Sequence, residues 1–111
     1  MRRSLAKLQR AIAEAADPPS LAMAHYHLGV FHDNNGRERL AIPCYRRAIR
    51  LGLPDPTEAE ASAWLASSLY KTGQPRAALR QCERTLGMPG AAPLKTFIVG
   101  LQRRIRRRPV V

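Results

Sequence analysis

The stretch HYHLGVFHDNNGRERLAIPCYRRAIRLGLP, His25 to Pro54, carries two apolar stripes at helical spacing, divided by a turn cluster. Leu28 and Phe31 continue a first stripe that begins just upstream at Leu21 and Ala24. Leu40, Ala41, Cys44, Tyr45, Ala48 and Ile49 form the second, and both follow the spacing of one helix face. Between them Asn35 and Gly36 are residue types that accept the left-handed backbone at a helix C-terminus. The pattern predicts helix, glycine turn, helix. Pro43 sits inside the second stripe, where it removes a bond to the carbonyl of Arg39 at a typical cost of about 3 kcal/mol. Packing of Ala41, Tyr45 and Ala48 must offset that cost, and the helix is expected to begin with a bend.

The same pattern recurs further along the chain. A constant shift places His25, Leu28, Gly29 and His32 on Ser62, Leu65, Ala66 and Leu69, and it carries Gly36 to Gly73, Ala41 to Ala78 and Arg47 to Arg84. Ala61, Trp64, Leu65, Ser68 and Leu69 are the expected buried face of the fourth helix. Leu79, Cys82 and Leu86 line the fifth.

These two units resemble the tetratricopeptide repeat family, whose unit of about 34 residues carries W-x2-LG-x2-Y, then A-x3-F, then P. Leu28-Gly29, Gly36, Ala41-x3-Tyr45, Ala48 and Pro54 match in the first unit. Leu65-Ala66, Gly73, Ala78 and Pro89 keep the frame in the second, with Cys82 in place of the aromatic and Ser62 in place of the tryptophan. Trp64 is displaced from the motif position. The arrangement is similar to short bacterial proteins of the group 5 kind, in which a third helix pair usually follows. The resemblance implies an all-α fold of two antiparallel helix-hairpin repeats in a right-handed solenoid. Small residues at Gly29, Ala41, Ala66 and Ala78 allow the close helix approach that such packing needs.

The chain reads as a single domain, 1–111: a leading helix over 3–16, repeats over 21–53 and 57–90, and a C-terminal helix with a basic tail over 92–107. Ser20 is the expected N-cap of the second helix. Before the fourth helix, Asp55 is placed to cap, Pro56 to take the first helical position, and Glu58 to complete the cap. Leu94, Phe97, Ile98 and Leu101 keep helical spacing in the last segment. Two repeats alone are marginal, so the first and last helices must cap the stack, or a second copy must, as in a homodimer.

Composition narrows the function classes. Lys and Arg number 19 against 8 Asp and Glu, a formal charge of +11, which favours contact with anionic partners without naming one. Cys44 and Cys82 fit buried thiols in a reducing cytoplasm. No apolar run approaches the roughly 20 residues of a membrane-spanning helix. The N-terminal segment, with Leu5, Leu8 and Ile12 on one face, resembles a transit peptide, but Glu14 and Asp17 favour a structural helix.

His25 and His32 lie two turns apart, yet they occupy packing positions of the repeat, and only Asp33 stands near as a further metal ligand. No nucleophile, phosphate loop or carboxylate pair accompanies them, so neither an enzyme, a metal site nor a cofactor is expected. The resemblance implies instead a concave groove, lined by the first helix of each repeat, that holds a peptide or helix of a partner protein. Carried over, the groove residues are Tyr26, His27, Val30 and Asp33, then Ala63, Trp64, Ser67, Tyr70 and Lys71. Trp64 equally suits a junction seal between repeats. Tyr26, Val30, Ala63 and Ser67 replace the family's Lys and Asn clamp for a terminal carboxylate, so that specificity is not expected. The alternative is a basic adaptor that meets nucleic acid or another polyanion through Arg103, Arg104, Arg106, Arg107 and Arg108, with Arg46, Arg47 and Arg50.

Overall fold

The computed structural model describes residues 4–107; Arg108 of the expected polyanion contact lies outside the described residues. Six helices follow one another: α1 (Leu5–Glu14), α2 (Pro18–Asn34), α3 (Glu38–Leu51), α4 (Thr57–Lys71), α5 (Pro75–Leu86) and α6 (Lys95–Arg107). A short 3-10 turn, Ala92–Leu94, leads into α6, and no strand occurs among the described residues. Each helix packs against the next, so the chain forms a one-dimensional stack measuring 45 × 28 × 24 Å.

The two glycine turns are built alike. Arg37 N donates to His32 O at 2.8 Å, and Gln74 N donates to Leu69 O at 2.9 Å. Gly36 and Gly73, at φ +69° and +79°, adopt the backbone that these helix ends demand and that side chains with a Cβ resist. Sequence alone therefore fixes where each hairpin reverses.

Tight packing follows from the small residues. Ala41, Ala66 and Ala78 are completely buried, and a Cβ on Gly29 would lie 2.7 Å from the Tyr45 ring. In the second repeat the equivalent pair is Ala66 with Cys82, so a larger residue on the first helix accompanies a smaller one on the second. α3 runs through Pro43, which is exposed, while Ile42 and Tyr45 beside it are buried. Burying two side chains of that size contributes about 1.5–3 kcal/mol each, enough to offset the proline.

Four local expectations are corrected. Asp17, rather than Ser20, caps α2: its Oδ1 accepts from Ser20 N at 2.8 Å, and this backbone donor holds the carboxyl below the usual range. Pro18 and Pro19 are thereby included in the first turn, where a missing N–H costs nothing. Asp55 does not cap α4, which starts at Thr57 without a side-chain cap; Glu58 N and Glu60 N donate to the carbonyls of Pro54 and Pro56 instead. Leu40 and Leu86, read as core, are 51% and 38% exposed, because α3 and α5 turn those edges outward and bury Ile42 and Thr85 instead.

The ends of the stack are closed on one side only. α1 buries Leu8, and Ser4 Oγ accepts from Lys7 N to start it. α6 buries Ile98, Leu101, Gln102 and Ile105 and turns Lys95, Thr96, Arg103 and Arg106 to solvent. The described part of the arginine run is thus the polar side of an ordered helix.

Candidate partner-binding site

Helical spacing stacks Glu60, Trp64, Ser67 and Lys71 on one side of α4. Trp64 occupies the centre of that side. Its Nε1 donates to Tyr26 Oη of α2 at 3.3 Å, and its ring meets Phe97 of α6 edge-on, with centroids 5.4 Å apart. Tyr26 Oη in turn donates to Glu60 Oε2 at 3.5 Å. One aromatic ladder therefore spans α2, α4 and α6.

The residues of this face differ in what they offer. Trp64, Ser67, Tyr70, Val30 and His27 are half-buried, and Lys71 is exposed. Tyr26 is buried, and burial raises its phenol pKa. Ala63 is completely buried, so it supports the floor and presents no surface; the tight α4 packing that allows an alanine there also hides it. Asp33 is already engaged, since Tyr45 Oη donates to its Oδ2 at 2.8 Å across the α2–α3 hairpin. His27 leans toward α1, where it lines a cavity of about 450 Å³ with Ala11, Pro19 and Met23.

Phe97 was expected only as an apolar position of the last helix. A signal for its place existed: the family spacing of about 34 residues carries Leu65-Ala66 onto Val99-Gly100 and Ala63 onto Phe97.

His25 and His32 are buried, and burial, seconded by Arg47 and Arg37 respectively, lowers both pKa values. Their rings stay neutral near pH 7. Burial raises the Cys44 thiol pKa and pushes that of Cys82 up to about 11, so both thiols stay protonated and weakly nucleophilic. Among the described residues no three His, Cys, Asp or Glu side chains converge as metal ligands.

The model of the Tetratrico peptide repeat family matches residues 22–99. The chain belongs to the tetratricopeptide repeat family. In this tetratricopeptide repeat protein the match begins at the buried Ala22 of α2 and ends at Val99 of α6, so all three members of the aromatic ladder lie inside it. No curated protein and no solved structure matches the chain. Family membership points to protein–protein interaction as the coarse function, and no described helix is long and apolar enough to cross a membrane.

Proposed function

We propose that the chain is a non-catalytic scaffold that binds a peptide or helix of a partner protein across the face formed by α2, α4 and α6. The observation that carries this reading is the half-exposed Trp64 held between Tyr26 and Phe97. A tryptophan fixed by a hydrogen bond and an edge-to-face contact loses little freedom on binding, and tryptophan and tyrosine dominate binding hot spots. Val30, Ser67, Tyr70 and Lys71 extend the same face with apolar, hydroxyl and cationic groups. The free Cys44 and Cys82 suit a reducing, cytoplasmic setting.

Photocrosslinking tests the proposal. Benzoylphenylalanine introduced at Ser67 or Tyr70 should trap a distinct partner in cells, and the same group at the exposed Lys7 or Arg39 should not. Equal yields from all four positions would overturn the assignment of this face.

A further inference from the structure

On the other side of α4, helices α3 and α5 stand apart and leave a groove of about 430 Å³. Arg46 and Arg50 of α3 form one wall, each a turn from the other, and Arg80 and Arg84 of α5 form the opposite wall in the same way. All four are exposed, and no acidic side chain lines the groove. Leu65 and Leu69 close the floor, while Ile49 and Met88 leave part of their apolar surface open to it.

Two features together define what fits. Four guanidinium groups facing one another without a counter-charge repel, and each presents a planar fork that matches a carboxylate or phosphate with two bonds. Between them lies apolar surface, which gains from an apolar side chain and offers nothing to a sugar–phosphate backbone. Aromatic residues that would stack on bases are missing from the lining. The volume suits a few side chains of one short segment.

We propose that this groove docks an acidic amphipathic segment of a partner protein, its carboxylates paired with Arg46, Arg50, Arg80 and Arg84 and an apolar side chain seated against Ile49 and Met88. The site is separate from the Trp64 face and lies across α4 from it. Partner engagement on two faces gives the protein the geometry of a bridge.

Fluorescence anisotropy on the full chain, at about 150 mM salt to suppress long-range charge effects, tests this with three labelled probes. They are a short peptide with Glu flanking Leu and Met at helical spacing, a polyglutamate of equal charge, and a single-stranded oligothymidylate. The amphipathic peptide should bind about tenfold tighter than either other probe, and Arg50→Glu with Arg84→Glu should weaken it by at least about tenfold. Met88→Ser should weaken the amphipathic peptide and leave polyglutamate unchanged, and Arg39→Ser, at an exposed arginine outside the groove, should leave the peptide's affinity unchanged. Circular dichroism checks the charge-reversal variant, with Arg50→Gln and Arg84→Gln as the replacement pair if helicity is lost. Equal affinity for polyglutamate, tighter binding of the oligothymidylate, or undiminished binding by the charge-altered variant would each overturn the proposal.

Discussion

A methyl group on Gly29 would stand 2.7 Å from Cε1 of Tyr45, closer than any real contact of that kind. α2 and α3 are therefore locked together by the absence of one side chain and the size of another. The second repeat solves the same junction with Ala66 and Cys82. Gly29→Ala should destabilise the fold by about 1–3 kcal/mol, the usual cost of overpacking. Thermal denaturation reads this, and Gly29→Ala combined with Tyr45→Cys should cost less than the sum of the two single changes, because the clash is gone once the ring is.

Gly100 occupies the corresponding place in α6, but a Cβ there meets nothing within 4 Å. Gly100→Ala should accordingly raise stability by about 0.5–1 kcal/mol through helix propensity alone. A loss of stability in urea unfolding would mean that α6 packs more closely at Gly100 than an open Cβ position allows.

Between α4 and α5 a closed polar chain is buried: Gln81 Nε2 bonds Ser62 Oγ at 2.7 Å, Ser62 meets Thr85 Oγ1 at 2.6 Å, and Thr85 donates to Gln81 O at 2.8 Å. Ser62→Ala leaves the Gln81 amide without this acceptor and should cost about 1–3 kcal/mol. Ser62→Ala combined with Thr85→Val should cost clearly less than the sum of the single changes, because the three groups act as one unit. Additive losses in a double-mutant cycle would contradict the network.

His25 and His32 supply a pH dependence whose sign is fixed. Burial lowers both pKa values in the folded chain, so below the ordinary value near 6.5 the unfolded chain binds more protons. Their contribution is complete above that pH and is lost as pH falls toward the folded values. The melting temperature should drop between pH 7.5 and 5.5. His32 Nδ1 is buried without a hydrogen-bond partner, and Leu69 holds the equivalent place in the second repeat. His32→Leu should raise stability at pH 7.5 and flatten the pH profile.

Features that depend on neighbouring residues were legible in the sequence. The turns at Gly36 and Gly73, the small residues at Gly29, Ala41, Ala66 and Ala78, and the family resemblance all rest on short-range patterns. Caps were read less well, since Ser20 and Asp55 are chemically suited to capping while the prolines decided where α2 and α4 began. Pairings across helices were least visible. The Ser62–Gln81–Thr85 network and the contact of Trp64 with Phe97 join residues that only the packed stack brings together, and the arginine groove exists only because α3 and α5 share α4 as a floor.

The protein carries its own reporter for a partner segment lying against Trp64, because Trp64 is the single tryptophan. The most direct measurement is iodide quenching and emission wavelength of Trp64, with and without a non-fluorescent peptide from the crosslinked partner at saturation. Binding on the α2–α4–α6 face should shield Trp64 from iodide and move its emission to shorter wavelength. Unchanged quenching and emission at full occupancy would contradict partner binding on this face.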